Sequence, residues 1–232
     1  MDAIVVFELR GPMAHYRRPD TLGTHASYPF ITRTALRGLV AAILGREDLP
    51  PESRCGLRLL GPVKMSTQQL SMHGKKWIGG GRDFHRPTTI ELVVKPHYRV
   101  FYAGPLAEDL AARLERKLSH YHTYLGSAYC LTFPEWIGRR SSEPLPADAG
   151  KIVCNSVVPS AAVGELLFQN GEQYARVGGM LRDHVGGRRF RGTVSVIYEA
   201  TGGPLTFNPA CPADDVFWAF NQVPGEGTIC LW

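Results

Sequence analysis

The chain has 232 residues, of which 44% are hydrophobic and 20% are charged, and its formal net charge is +5. This composition excludes a wholly disordered chain, because it supplies enough apolar surface for a core. No apolar run approaches the ~18 residues of a membrane span, and residues 1–7 lack the features of a secretion signal. We therefore expect a cytoplasmic protein without membrane contacts.

The first half predicts the order strand, helix, strand, strand, helix, strand. A β-rich run over residues 3–9 forms the first strand. The first helix begins at Thr32 or Thr34 and ends at Gly45, because apolar residues recur between them at helical spacing. Later strands are predicted over residues 57–65, 89–94 with a continuation over 98–102, and 128–133. The second helix begins near Pro105.

This order is typical of the split βαβ, ferredoxin-like arrangement of an α+β fold. We predict one such domain over residues 1–138. The polar, Pro-containing stretch 139–150 predicts a linker. Residues 151–232 predict a smaller, mostly β region without a helix, with strands over 152–158, 164–169, 193–198 and 228–232.

The segment Ser66–Pro87 is unusually basic and poor in large apolar residues. Residues 51–100 hold nine basic against three acidic side chains, which is typical of a surface that binds a polyanion. We predict an inserted β-hairpin thumb over residues 66–88, in which Trp77 stacks on a base; a surface loop without function is the alternative. The candidate RNA contacts here are His73, Lys75, Lys76, Trp77, Arg82, His85 and Arg86.

A second basic and aromatic group follows the first strand. Arginine can grip phosphates while tyrosine stacks on a base, as in single-stranded RNA recognition. A solvated polar loop is the alternative. The candidate RNA contacts here are His15, Tyr16, Arg17 and Arg18, with Arg33 and Arg37 in the first helix. The run 188–191 repeats this pattern or protects an edge strand by its charge.

The residue spacing disfavours a metal site. His120 and His122 are two apart, the five cysteines are scattered, and no phosphate-binding loop motif occurs. We expect neither a metal nor a cofactor. Metal-free RNA cleavage needs a general base, an acid and a cation. His15, Tyr16, His73, Lys75, Lys76, His120 and His122 offer these types.

Several motifs resemble Cas family 5, the RAMP subunits of type I CRISPR effector complexes. The residues that carry the resemblance are Gly11-Pro12, Tyr16-Arg17-Arg18-Pro19, Tyr28-Pro29, residues 34–45 and residues 91–101. Tyr124-Leu125-Gly126-Ser127 resembles a turn of the type I-B branch, with Thr123 where proline is usual. The resemblance is closest over residues 3–45, is moderate over residues 89–130 and rests on weak features in the second half.

The resemblance implies a subunit that binds the 5′ repeat-derived handle of CRISPR RNA. Family members cap the filament of backbone subunits, contact the large subunit and meet target DNA only indirectly. They extend a hairpin thumb from a ferredoxin-like domain, and the hairpin predicted over residues 66–88 coincides with this thumb. In the type I-C branch the same fold is a ribonuclease that uses an adjacent Lys-His pair, which is missing here.

Three functions remain open from the sequence. The first is a non-catalytic subunit that binds the CRISPR RNA handle and takes part in antiviral defence. The second is a metal-independent endoribonuclease that processes precursor CRISPR RNA. The third is an α+β enzyme acting on a small molecule, which would bind no RNA.

Overall fold

The computed structural model describes residues 2–21, 23–73, 85–146, 149–211 and 217–232. Strands dominate these residues, and two α-helices accompany them: α1 (Arg33–Leu44) and α2 (Ala107–Glu115). The strands of the first half are β1 (Asp2–Arg10), β2 (Met13–Ala14), β3 (Tyr16–Arg17), β4 (Ser27–Tyr28), β5 (Arg54–Leu59), β6 (Met65–His73), β7 (His85–Val94), β8 (His97–Ala103) and β9 (Glu135–Pro144). Those of the second half are β10 (Ile152–Cys154), β11 (Val158–Pro159), β12 (Val163–Leu166), β13 (Tyr174–His184), β14 (Phe190–Glu199), β15 (Leu205–Pro209), β16 (Ala219–Val223) and β17 (Gly227–Leu231).

Helix α1 has the boundaries that its sequence predicts. The hydroxyl of Thr32 accepts a hydrogen bond from the Ala35 amide at 3.3 Å, which satisfies one of the free N–H groups of the first turn. Gly45 ends the helix with φ of 72°, the left-handed conformation in which glycine is least strained. The helix buries one apolar face, made of Leu36, Leu39, Val40, Ala41, Ile43 and Leu44.

The principal sheet has nine strands in the order β12-β15-β10-β17-β16-β9-β1-β8-β5. Strand β1 lies between β8 and β9 and is antiparallel to both. The sheet curls until β17, five strands away from β5 in this order, meets β5. The amide of Trp232 donates to the carbonyl of Cys55 at 2.9 Å, and the amide of Cys55 donates to the carbonyl of Trp232 at 3.3 Å. Six strands, β17-β16-β9-β1-β8-β5, therefore close into a ring.

The inside of this ring is apolar at one end and ionic at the other. Side chains of β1, β8, β16 and β17 form a small core of Ile4, Val6, Phe101, Val223, Ile229 and Leu231. At the other end Arg99 donates hydrogen bonds to Glu8 and, at 2.8 Å, to Glu226. Burial opposes ionisation of Glu8, but the hydrogen bonds from Arg99 and His97 outweigh it and lower its pKa. The larger core packs α1 and α2 against the outer face.

The sequence-based strands of the first half need three corrections. The second strand is β5 (Arg54–Leu59), earlier than residues 57–65. Residues 89–94 belong to β7, which pairs with β6 and β2 in a separate sheet, so β8 is the strand that lies in the principal sheet. Residues 128–133 form only an isolated bridge between Tyr124 and Leu131, and β9 takes the place of the predicted strand.

The predicted linker 139–150 is also corrected. Its first half lies in β9, where Ala3, Ile4 and Val5 of β1 pair with residues 139–141. The nine-stranded sheet continues across the predicted boundary at this point. The polar composition of the segment reflects an exposed strand rather than an irregular connection, because half of a sheet can face water.

The second half is mostly β, as predicted. Strands β10, β12, β14 and β17 correspond to the four predicted runs, whereas β11, β13, β15 and β16 were missed. The described residues of this half contain one short 3-10 helix, Ser160–Ala162, and no α-helix. Of the five cysteines, Cys55, Cys130, Cys154 and Cys230 are buried and Cys211 is exposed.

No helix within the described ranges has the length and apolar character needed to span a membrane.

Candidate nucleic-acid interface

We call the pair β6 and β7 the arm, and residues 15–25, which follow β1 in the chain, the basic segment. The basic segment lies against the base of the arm. The amide of His25 donates to the carbonyl of Thr89 at 2.8 Å, and the Glu91 amide donates to the carbonyl of His25 at 3.0 Å. His15 Nδ1 donates to the carbonyl oxygen of Glu91 at 2.8 Å. Arg17 is exposed, and its partner in β4, Ser27, donates its amide hydrogen to the Glu91 carboxylate of β7 at 3.1 Å.

The arm is a polar ribbon. Its strands pair antiparallel from Met65 and Val93 at the base to His73 and His85. Every side chain of β6 is exposed or half-buried, and the rings of His73 and His85 lie 4.6 Å apart. Arg86 is half-buried. Four predicted RNA contacts, Lys75, Lys76, Trp77 and Arg82, fall outside the described residues.

A third segment, of which the sequence analysis named only His120 and His122 as candidates for RNA chemistry, lies beyond α2. Residues 118–133, the aromatic loop, expose four aromatic rings: Tyr121 at 58%, Tyr124 at 46%, Tyr129 at 54% and Phe133 at 77%. The exposed Arg116 and Lys117 precede it, and no acidic residue occurs between positions 116 and 134. Aromatic rings among basic residues are typical of single-stranded RNA sites. This absence of acids was the signal available in the sequence.

The aromatic loop is held in place by backbone contacts on two sides. The amides of His120 and Tyr121 each lie 3.1 Å from carbonyl oxygens of the last turn of α1 and satisfy them. On the other side the amide of His15 donates to the carbonyl of Leu125 at 3.1 Å. Gly126 has φ of 85°, and a Cβ there would overlap the His15 carbonyl oxygen. The loop therefore approaches the basic segment as closely as two backbones can.

A groove of about 290 Å³ separates the aromatic loop from α1. Its wall on the helix is made of small side chains, and a Cβ on Gly38 would have no atom within 4 Å. Gly38 therefore faces open space and does not bring α1 close to the sheet. The groove is lined by Ala35, Gly38, Leu39, Ala42, His122, Thr123, Tyr124 and Gly126.

The structure corrects the assignment of His15 and Tyr16 as RNA contacts. His15 is 4% exposed and Tyr16 is 3% exposed, so neither ring can stack on a base. Burial lowers the pKa of His15 and raises the pKa of Tyr16, which keeps both side chains neutral. His15 instead joins the arm to the aromatic loop, through Glu91 and Leu125 respectively.

Arg33 and Arg37 are corrected for a different reason. Arg33 donates to the Arg182 carbonyl at 3.1 Å and to Asp183 at 3.2 Å. Arg37 donates at 2.8 Å to the carbonyls of Ser53 and Leu49. Guanidinium groups bonded to protein oxygens are not free for phosphate, so both residues hold the fold.

Of the two arginines in the basic segment, Arg18 is bonded to a protein carboxylate. Arg18 forms a two-pronged pair with Asp20, at 3.1 and 2.8 Å, and its guanidinium lies 5.6 Å from the centre of the Tyr28 ring. Its side chain is 38% exposed, so it keeps access to solvent while Asp20 neutralises part of its charge. Arg17 is more exposed, and its guanidinium donates one long hydrogen bond, of 3.4 Å, to the Thr21 carbonyl.

We expect Arg33→Met to lower the free energy of unfolding by about 2 kcal/mol, because it removes charge-assisted hydrogen bonds that are largely shielded from water. Arg17→Met, at an exposed position, is the control and should change stability by less than ~0.5 kcal/mol. Urea unfolding measures both. Unchanged stability with weakened RNA binding in Arg33→Met would return Arg33 to the interface.

His120 and His122, the two histidines beyond α2, point to different places. The ring of His120 packs beside Gly45, where a Cβ would lie 2.6 Å from its Cγ, whereas His122 lines the groove. Within the described ranges no group of three or more His, Cys, Asp or Glu side chains is arranged to hold a metal ion.

Comparison with known proteins gives the family and the fold. Residues 4–195 match the family model for "CRISPR-associated protein (Cas_Cas5)". A search of curated proteins finds no match. A CRISPR protein from Archaeoglobus fulgidus is similar with a TM-score of 0.61 and 11% identity, covering 98% of each chain. A chain of a CRISPR RNA-guided surveillance complex has a TM-score of 0.52 and 15% identity, covering 87% of this chain and 91% of its own.

The two structural likenesses lie below 25% identity and concern the fold alone. They agree with a mostly β, α+β architecture built on a curled sheet. The sequence match is independent of them and extends over most of the chain, including the basic segment, the arm and the aromatic loop. This chain therefore belongs to Cas family 5, the RAMP proteins that its motifs resemble.

Proposed function

We propose that this protein is the subunit of a type I CRISPR surveillance complex that binds the 5′ handle of CRISPR RNA without cleaving it. Membership of Cas family 5 supports a place in such a complex, and one structural neighbour is a chain of a CRISPR RNA-guided surveillance complex. Its partners would be CRISPR RNA, the backbone subunits and the large subunit, with target DNA held only indirectly.

One observation carries the proposal: three segments suited to RNA meet at His15. The base of the arm reaches it through Glu91, the aromatic loop through Leu125, and Arg17 lies two residues away. Cations and exposed rings that follow one another over a surface suit a strand whose phosphates and bases alternate. The groove beside Tyr124 adds a depression for an unstacked base.

The fold suits the same role. Strands β1, β5, β8 and β9 with α1 and α2 follow the order strand, helix, strand, strand, helix, strand, and the antiparallel order is β9-β1-β8-β5. We propose that this unit is the ferredoxin-like domain of the family and that the arm is its thumb. From residues 124–127 we also propose that the protein belongs to the type I-B branch.

A second candidate, a metal-independent ribonuclease, has one observation in its favour. His122 and Tyr124 line the same groove and are types of side chain that can move a proton. To separate the two, end-labelled repeat RNA is incubated with the protein in EDTA. We expect bound, intact RNA. Cleavage at one site, abolished in His122→Ala, would replace the proposal with the ribonuclease.

The arm is tested by Lys75→Ala with Lys76→Ala. If both lysines contact phosphates, the slope of log affinity against log salt should flatten by ~1.4, since each contact to a single strand contributes about 0.7. Filter binding of repeat RNA at several salt concentrations measures the slope. The control is Arg54→Gln with Arg139→Gln, which removes two exposed cations outside the three segments; Arg139 is paired with Glu108 at 2.6 Å. Equal slopes in both variants would remove the arm from the interface.

A further inference from the structure

The longest hairpin of the second half ends in a cluster of cations. Strands β13 and β14 pair antiparallel up to His184 and Phe190, and residues 185–189 connect them. Between positions 182 and 191 the sequence holds four arginines against one aspartate. We call residues 184–191 the basic tip. Arg188 and Arg189 are exposed, Arg191 is 74% exposed, and Phe190 is 40% exposed.

Two acidic residues lie near this end, and neither reaches the outer arginines of the tip: Asp48 lies 3.5 Å from His184, and Asp183 is shared. Asp183 lies 3.2 Å from Arg33, 3.0 Å from Arg182 and 3.8 Å from Arg191. Three guanidinium groups therefore already share its single charge. In the described parts of the chain, Arg188 and Arg189 have no carboxylate within 4 Å, so their charge faces solvent.

The tip has a conformation that is costly for arginine. Gly186, Gly187 and Arg188 follow one another with φ of 84°, 57° and 58°. Glycine adopts this left-handed region freely, but a residue with a Cβ is strained there. Two backbone hydrogen bonds, between Val185 and Arg189 and between Arg189 and Gly186, both 3.0 Å, close the turn. The turn thus holds a long cation where glycine would fit with less strain.

The hairpin below the tip is fixed to the body of the protein. Arg33, at the start of α1, holds Asp183 and the Arg182 carbonyl, and Tyr28 donates to the Gly179 carbonyl at 2.6 Å. A ligand that binds the tip therefore meets cations on a rigid support, with little ordering to be done.

Protection of a sheet edge does not account for the free cations. Strand β13 is the edge of its three-stranded sheet, and charge along an edge discourages pairing with another chain. Arg188 and Arg189 lie beyond the last paired residues, in the turn, where no ladder position is open. Their charge is directed past the end of the ribbon.

We propose that the basic tip binds the phosphate backbone of a nucleic acid, as a contact separate from the three segments that meet at His15. Arginine suits phosphate because its planar fork makes two parallel hydrogen bonds to it. Phe190, which lies 5.5 Å from the ring of His184, adds an exposed ring next to the cations. A two-stranded ribbon also fits the major groove of a duplex.

The test uses a double variant of the full chain, called the tip variant, that carries Arg188→Gln and Arg189→Gln together. Its control is the double variant with Arg54→Gln and Arg139→Gln. Three probes separate the sources of phosphate: single-stranded RNA without repeat sequence, the single-stranded DNA of the same sequence, and duplex DNA. The tip variant should flatten the salt slope by ~1.4 on a single strand or ~1.8 on the duplex relative to the control. The probe that shows the change identifies the ligand.

A tip variant with the same slope as the control on all three probes overturns the proposal. The proposed handle binding is judged separately, by the Lys75 and Lys76 variant on repeat RNA. Because no probe in the tip experiment contains repeat sequence, loss of handle recognition leaves the result for the tip readable. Circular dichroism and urea unfolding of the tip variant verify that it is folded.

Discussion

Gly126→Ala is expected to lower the free energy of unfolding by about 3–5 kcal/mol. Part of this cost, about 1–2 kcal/mol, arises because φ of 85° is unfavourable for alanine. The rest comes from steric overlap, since the new Cβ would lie 2.2 Å from the His15 carbonyl oxygen and 2.8 Å from its carbon, and a backbone atom cannot turn aside. Urea unfolding measures the change.

Gly171→Ala is the matched control for this substitution. Gly171 has φ of 90°, but a Cβ there would have no atom within 4 Å. It should therefore show only the conformational cost of about 1–2 kcal/mol. An equal loss of stability in the two variants would mean that the aromatic loop does not depend on its close approach to His15.

Tyr121→Leu and Tyr124→Leu are each expected to weaken binding of repeat RNA by about 1–3 kcal/mol, as lost stacking does when a base lies on the ring. Leucine keeps an apolar side chain but has no aromatic face. At about 2 kcal/mol the dissociation constant rises roughly 30-fold. Fluorescence anisotropy with labelled repeat RNA at fixed salt measures it.

Phe168→Leu serves as the control for the two tyrosines. Phe168 is 74% exposed and lies between β12 and β13, outside the three segments. Its replacement should leave RNA affinity unchanged within twofold. If Phe168→Leu weakens binding as much as Tyr124→Leu does, the loss reflects general surface change and the aromatic loop is not a stacking surface.

Features set by local interactions could be predicted from the sequence. Helix α1 is one, because its cap Thr32, its apolar stripe and the terminating Gly45 lie within 14 residues of one another. The pairing of β6 with β7 is another, since the basic, polar composition of the segment leaves it no place in a core. Family membership rested on the motifs of the same regions.

Features set by distant partners could not be predicted. Residues 129–133 alternate buried and exposed side chains as a strand does, yet Thr132 donates its hydroxyl hydrogen to the Arg10 carbonyl at 2.8 Å instead of continuing a ladder. Residues 139–142 have the composition of a loop but pair with β1, and residues 143–144 pair with β16; the sequence does not reveal the position of either partner. Tertiary pairing overrides local preference in both cases.

The candidate interface shows the same limit for charged side chains. Arg17 and Arg33 have the same chemistry, and only the fold separates the one that reaches solvent from the one that meets Asp183. The exposed rings of the aromatic loop were not predicted, because the sequence alone does not distinguish its tyrosines from tyrosines of the core. Their exposure depends on Leu125, Cys130 and Thr132, which take the buried positions between them.

The ring of six strands has a consequence for how the chain reaches its native state. Its closing bonds join residue 55 to residue 232, positions separated by most of the sequence. Contacts between such distant residues carry a large loop-closure entropy and slow folding. During synthesis the edge of β5 therefore stays unpaired while every later strand is made, and until β17 is in place it is an open strand edge that can pair with other chains.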